Sequence, residues 1–160
     1  MNNINDVISG LDNEQAKAAV ELHRRAADAG LFTTFSASDK TNYKKAEYRL
    51  SKFKKDAPIF VIQVKSGKIN VKCKFYNLDK YSDKLLQLNP GTLDKVLGSK
   101  QCKGIENGCT VGVDFELNGS SYNLCRHLIF IRELMTDDIP AVWELVKEEI
   151  TLRNSQGGYK

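Results

Sequence analysis

Three of the four cysteines and one of the two histidines in this 160-residue chain lie close together, at Cys102, Cys109, Cys125 and His127. Thiolates and imidazole nitrogens are ligands that zinc prefers, and a thiolate can also act as a nucleophile. A structural zinc site usually takes its ligands from close pairs such as C-x2-C, whereas the spacing here is C-x6-C-x15-C-x-H. Three interpretations stay open: a zinc site, thiol redox chemistry, or ordinary buried or loop cysteines.

A hairpin must position the second half of this cluster. Asn118-Gly119 is the strongest short-range signal for a two-residue type I′ turn. That turn predicts three opposed pairs: Val113 with Leu124, Phe115 with Tyr122, and Gly112 with Cys125. Because side chains alternate along a strand, Cys109 and Cys125 then point to opposite faces unless a β-bulge near Cys125 or Arg126 rotates the strand.

The rest of the chain predicts helices at both ends with strands between them. Asp12 is a helix N-cap, followed by an apolar stripe and a stop at Gly30. The stripe consists of Ala16, Ala19, Val20, His23 and Ala27. Strands are predicted from Leu31 to Phe35, over 59–64 as a central strand covered on both faces, and over 69–75, with a polar loop from Ser36 to Thr41. The apolar residues of 43–53 fit both helical and strand spacing, and we favour a strand there. Asp79 is expected to cap a helix reaching Leu88, and a last helix starts near Thr136 with Ile139, Val142, Trp143, Val146 and Ile150 on its apolar stripe.

These elements predict an α+β fold: an antiparallel sheet of about five or six strands with the N-terminal and C-terminal helices packed against it. Length and a hydrophobic content of 41% fit a single domain over 1–152, followed by a flexible tail over 153–160.

The charge and composition of the chain indicate which classes of binding partner to expect. The net charge of +4 comes from 24 Lys and Arg against 20 Asp and Glu, interspersed along the chain, which disfavours nucleic acid as a partner. The basic stretch from Lys40 to Lys55, interleaved with Tyr43, Tyr48 and Phe53, is the feature that would support a weak nucleic-acid-binding module. The N-terminus shows no secretory pattern and no run is long enough to span a bilayer, so we expect a cytoplasmic protein without a membrane partner.

The aromatic residues suggest a binding site. We expect a concave sheet face with a cleft that exposes at least two of four side chains to a small-molecule ligand: Tyr48, Phe60, Phe75 and Trp143. The chain shows none of the G-x-S-x-G, Gly-rich phosphate-loop or H-E-x-x-H motifs, so nothing argues positively for an enzyme. The sequence thus favours a non-enzymatic ligand-binding domain, with thiol- or zinc-dependent chemistry at the cysteine cluster as the alternative.

The order of several segments resembles a group of small, uncharacterised bacterial α+β proteins distantly similar to the YdhG-like families. The resemblance rests on Lys45-Ala-Glu-Tyr-Arg-Leu, Pro58-Ile-Phe-Val-Ile, Leu78-Asp79-Lys-Tyr81, Cys102, Cys109, and the hairpin leading to Tyr122 and Cys125. It covers most of residues 12–150. In those relatives the cysteine loop carries C-x2-C pairs, whereas Ile105 and its neighbours stand in their place here. The resemblance implies the α+β fold more than any activity.

Overall fold

A computed structural model describes residues 2–38, 43–53, 56–99, 112–126 and 129–156. The helices are α1 (Ile4–Ile8), α2 (Asn13–Asp28), α3 (Pro90–Leu97) and α4 (Ile139–Ser155), with short 3-10 turns at Leu78–Lys80, Ser82–Gln87 and Thr136–Asp138. The strands are β1 (Phe32–Ser38), β2 (Tyr43–Arg49), β3 (Phe60–Lys65), β4 (Lys68–Cys73), β5 (Gly112–Leu117), β6 (Ser120–Cys125) and β7 (Ile129–Arg132). The predicted α+β class is confirmed.

Five strands form one antiparallel sheet in the order β1-β2-β3-β4-β7. The first four strands follow one another as a meander, and β3 is central, as its apolar run predicted. The expected cover on both faces is wrong, because Gln63 and the exposed Lys65 lie on the polar side of the sheet. Strand β7 joins the far edge of β4 after the chain has passed through α3 and the hairpin. Strand β1 continues to Ser38, so the loop predicted from Ser36 starts too early; Ser36 is held extended because it pairs with Lys45 across the ladder.

Strands β5 and β6 form a separate two-stranded sheet. Its predicted register is confirmed: Val113 lies opposite Leu124, and Phe115 lies opposite Tyr122. The turn residues Asn118 and Gly119 have φ of 50° and 76°, as a type I′ turn requires. The side chain of Phe115 is buried and stacks on Tyr122, with 5.6 Å between ring centres, so the hairpin carries its own part of the core.

Helix α2 begins where the sequence indicated, since the side chain of Asp12 accepts a hydrogen bond from the backbone N–H of Gln15 at 2.9 Å. Its buried stripe differs from the predicted one and consists of Ala18, Ala19, Leu22 and Ala26. Val20 and Ala27 of the predicted stripe are exposed. Several alanine-rich arcs overlap on this helix, and the arc that contains Leu22 buries the largest apolar area.

Helix α4 buries the predicted Ile139, Val142, Trp143 and Val146 against the core. The helix runs on through Ser155, and Arg153 is only 3% exposed, so the flexible tail expected from residue 153 starts too early.

A charged pair holds the end of this helix in place. The carboxylate of Glu149, which is 0% exposed, accepts hydrogen bonds from Nε of Arg153 at 2.7 Å and from the backbone N–H groups of Tyr76 and Asn77. The guanidinium of Arg153 also donates to the carbonyls of Ala57 and Lys74. These contacts tie α4 to the segments that flank β3 and β4.

The helix predicted from Asp79 to Leu88 is instead two 3-10 turns that meet at Tyr81. The hydroxyl of Tyr81 donates to Glu149 at 2.7 Å, and its backbone φ of −142° interrupts the helix. Leu85 and Leu88 are buried as expected. The buried bond to Glu149 therefore accounts for the interruption.

Candidate functional site

The four aromatic side chains predicted to line a ligand cleft lie inside the protein. Tyr48, Phe60, Phe75 and Trp143 have exposed fractions of 0%, 0%, 1% and 8%. Tyr48 and Phe60 stack with 4.3 Å between ring centres, and the hydroxyl of Tyr48 is hydrogen-bonded to Nδ1 of His23 at 3.1 Å. The expected exposure of at least two of them is therefore wrong, because the helices pack on this face of the sheet and these rings fill the core between.

The cysteine cluster falls mostly outside the part of the chain that the structure describes. Cys102, Cys109 and His127 lie outside it, while Cys125 is half-buried at the end of β6, opposite Gly112 in an unbroken ladder. Among the described residues, no three His, Cys, Asp or Glu side chains come together as a metal site. Zinc or thiol chemistry at this cluster stays a prediction.

The fourth cysteine, Cys73, alternates with Ile69 and Val71 along the sequence, and this pattern predicts a core residue. The prediction is confirmed, because the side chain is 0% exposed. Burial, with a smaller contribution from the charge of Glu149, raises the pKa of its thiol. A thiol held in its protonated form is a poor nucleophile and a poor metal ligand.

The opposite face of the five-stranded sheet carries polar side chains, and we call it the open face. Residues opposed in antiparallel ladders point to the same side, so the registers sort this face into rows that cross the sheet. One row contains Thr34, Glu47, Val61, Lys72 and Phe130. The next contains Ser36, Lys45, Gln63, Asn70 and Arg132. A shorter third row contains Ser38, Tyr43, Lys65 and Lys68.

The open face gathers positive charge that is dispersed along the sequence. Its described cationic side chains are Lys45, Arg49, Lys65, Lys68, Lys72, Lys74 and Arg132. The acidic side chains on it or at its rim are Glu47, Asp56 and Glu133. Seven positive against three negative charges leave +4, as large as the formal net charge of the whole chain. The sheet thus concentrates the chain's excess charge on one face.

A depression of about 340 Å³ lies at the β2, β3 and β4 strands of this face. Its cationic lining consists of Lys45, Arg49, Lys72 and Lys74, and Ala57, Pro58 and Val61 supply apolar wall. Gln63 contributes an amide, which can donate to an anion. The depression therefore combines ammonium, guanidinium and amide donors.

Two of these cations share one carboxylate. Glu47 forms ion pairs with Lys45 at 2.7 Å and with Arg49 at 2.6 Å. Burial on its own would raise the pKa of Glu47, but the hydrogen bonds from these two side chains outweigh it and the pKa is lowered. Arg49 also donates to the carbonyl of Asp56 at 3.0 Å and to the hydroxyl of Thr34 at 3.3 Å. Arg49 is thus mainly a structural bridge across the depression.

Lys72 and Lys74 are different, because neither forms an ion pair within the described residues. Both are half-buried on the β4 side of the depression. The pKa of Lys74 is lowered, first by burial and then by the positive charges of Lys72, Arg153 and Arg49. Such a group of like charges is stabilised by any anion that enters between them.

A second depression of about 400 Å³ adjoins the first and shares Gln63 with it. Besides Gln63, its lining consists of Lys68, Asn70, Phe130, Arg132 and Glu133. Glu133 lies 3.9 Å from Lys68 and from Lys95, whereas Arg132 forms no ion pair within the described part of the chain. The two depressions form a continuous polar track from β2 to β7.

Within its described residues, the basic stretch from Lys40 to Lys55 does not form a single surface. Side chains alternate along β2, so Lys45 and Arg49 lie on the open face. Lys44 lies on the opposite face, where it contacts the hydroxyl of Ser9, and Tyr48 lies in the core. Sequence reasoning missed the joint role of the cations on β4 and β7. The alternation of Asn70, Lys72 and Lys74 along the sequence indicated that the β4 side chains share one polar face. That Arg132 lies beside them depends on the long-range pairing of β4 with β7.

No family model, curated protein sequence or solved structure matches this chain. The resemblance to YdhG-like families therefore stays a prediction. Within the described residues, none of the helices has the length and apolar character needed to cross a membrane.

Proposed function

We propose that this protein is a non-enzymatic binding domain that takes a small anionic ligand, a phosphate or carboxylate group, on the open face of its sheet. The observation that carries the proposal is the pair Lys72 and Lys74, two half-buried lysines in one depression with no ion pair to a described carboxylate.

Electrostatics supports an anion at this position. Burial lowers the pKa of Lys74 most, and the nearby positive charges of Lys72, Arg153 and Arg49 lower it further. An anion between the ammonium groups offsets this repulsion, and the partly dry walls of the depression strengthen the attraction relative to bulk water. The ligand and the clustered charges therefore stabilise each other.

The lining supports binding over catalysis. Its two carboxylates are already occupied, Glu47 by Lys45 and Arg49, and Asp56 by the hydroxyl of Ser51. A general base must be free to take a proton from the substrate. With both carboxylates engaged, the described lining is suited to holding an anion.

Calorimetric titration with inorganic pyrophosphate at low ionic strength tests the proposal. We expect the double variant Lys72→Gln and Lys74→Gln to weaken binding roughly tenfold or more, because each lost charge removes on the order of 1 kcal/mol. The matched control is the double variant Lys17→Gln and Lys80→Gln, which removes the same charge from exposed positions on α2 and the first 3-10 turn.

The control should bind as the unaltered protein does. The proposal fails if pyrophosphate does not bind, or if the two double variants lose affinity equally, since the effect would then follow net charge and not the depression.

A further inference from the structure

We propose that the anion bound on the open face is the phosphodiester backbone of a single-stranded nucleic acid, whose bases stack on the aromatic side chains at the edges of the sheet. This inference rests on the proposed function, because it names the class of ligand for the same face. It reverses the expectation from the sequence, which disfavoured nucleic acid because the charge is interspersed along the chain.

The first argument is the extent of the charge. Beyond the depression with Lys72 and Lys74, cations that pair with no described carboxylate continue to Lys65 at one end of β3 and to Arg132 on β7. From β2 to β7 the track crosses three strand spacings of about 4.8 Å, or about 14 Å in all. One phosphate or carboxylate group fills only part of such a track. A chain of phosphates can occupy all of it.

The second argument is the position of the aromatic rings. Phe130 is half-buried in the second depression and lies opposite Lys72 in the ladder. Phe32, which is 48% exposed, lies opposite Arg49 at the other edge of the sheet. Proteins that bind single-stranded nucleic acid combine aromatic rings with a row of cations. The rings stack on the bases, and the cations contact the phosphates.

The third argument is the polar centre of the face. Gln63 and Asn70 lie opposite each other on β3 and β4, in the row that runs from Lys45 to Arg132. Their amides present both donors and acceptors, which suit the exposed edges of unpaired bases. The strands of this face present no helix that could enter the groove of a duplex, whereas the depressions along the face accommodate a single strand laid across it. An acidic peptide would satisfy the cations but would leave the rings without a function.

Fluorescence anisotropy with a labelled oligothymidylate tests the inference. Four cations form no ion pair within the described residues: Lys65, Lys72, Lys74 and Arg132. If each contacts one phosphate, a plot of the logarithm of the binding constant against the logarithm of the salt concentration should have a slope of about −3. Arg132→Gln should reduce the magnitude of the slope by about 0.7. Phe130→Leu, which keeps an apolar side chain but removes the ring, should weaken binding roughly tenfold and leave the slope unchanged.

Inorganic polyphosphate separates the two parts of the proposal, because it has phosphates and no bases. We expect Phe130→Leu to leave polyphosphate binding unchanged, and thermal unfolding confirms that the variant is folded. If Phe130→Leu does not fold, Phe32→Leu on the other edge supplies the same comparison.

The inference is overturned, while the proposed function stands, if pyrophosphate binds through Lys72 and Lys74 but oligothymidylate binds no more tightly than polyphosphate. Equal or tighter binding of duplex DNA or of polyglutamate also overturns it. If none of the anions binds, both proposals fail.

Discussion

Lys72 and Phe130 lie opposite each other in the β4–β7 ladder, so that a half-buried lysine and a half-buried phenylalanine share one row of the open face. On the other side of Lys72 in the same row is Val61, which is only 3% exposed. The row thus places a cation between a ring and a covered apolar residue. This arrangement supports both the anion site and the stacking platform.

Glu149 should be the most sensitive charged position for stability. Its buried carboxylate accepts hydrogen bonds from Arg153, Tyr81 and two backbone N–H groups, all of which lose a partner on substitution. We expect Glu149→Ala to lower the free energy of unfolding by about 3 to 5 kcal/mol, measured by denaturant titration. The control Glu148→Ala removes a partly exposed carboxylate paired with Lys84 and should cost less than about 1 kcal/mol. Similar losses for both variants would contradict this role.

Phe115 should be the main apolar residue of the hairpin. It is 7% exposed and stacks on Tyr122, so Phe115→Ala leaves a cavity and should cost about 3 to 5 kcal/mol in denaturant titration. The neighbouring Glu116 points outward, and Glu116→Ala should change the stability by less than about 0.5 kcal/mol. A small effect at Phe115 would mean that the hairpin does not pack on the rest of the protein.

His23 should make stability depend on pH. Burial lowers its pKa below the usual value of 6.5, so the folded protein favours the neutral ring that is hydrogen-bonded to Tyr48. This contribution is present in full above the pKa of the unfolded state and is lost as pH falls through the lower folded pKa. Denaturant titrations from pH 8 downward should therefore show a decline below about pH 6.5 that His23→Gln reduces. An unchanged pH profile in the variant would exclude this role.

Cys73 should resist thiol reagents in the native protein. Its side chain is 0% exposed and burial raises the pKa of the thiol, so alkylation requires unfolding. The half-buried Cys125 should react sooner. Peptide mapping after brief iodoacetamide treatment, with and without denaturant, measures both rates. Native labelling of Cys73 at the rate of Cys125 would show that the core opens readily.

Local patterns in the sequence predicted the elements that depend on nearby residues. Asn118-Gly119 predicted the hairpin register, and Asp12 predicted the start of α2. The alternation of apolar and polar residues around Val71 predicted which face of β4 is buried. Each rests on interactions within a few residues or on the period of a strand.

The predictions that were wrong, or that were not made, concern features that depend on contacts between distant segments. Tyr81 interrupts the predicted helix because it bonds to Glu149, and Arg153 is buried because it reaches the carbonyls of Ala57 and Lys74. The open face has the same origin, since Arg132 and Phe130 reach β4 only through a pairing across the long segment that separates them. Composition alone showed a mild excess of positive charge and could not show its concentration on one face.

Mapping the amide chemical shifts of the labelled protein during titration with inorganic pyrophosphate tests the central claim most directly. We expect the shifts of Lys45, Gln63, Lys72 and Lys74 to change together with one dissociation constant, since these residues line the same depression. The polar depression on the hairpin, which contains Asp114 and Glu116, is the internal comparison and should not respond. Changes confined to the hairpin or to the helices, with none on β2, β3 and β4, would contradict anion binding on the open face.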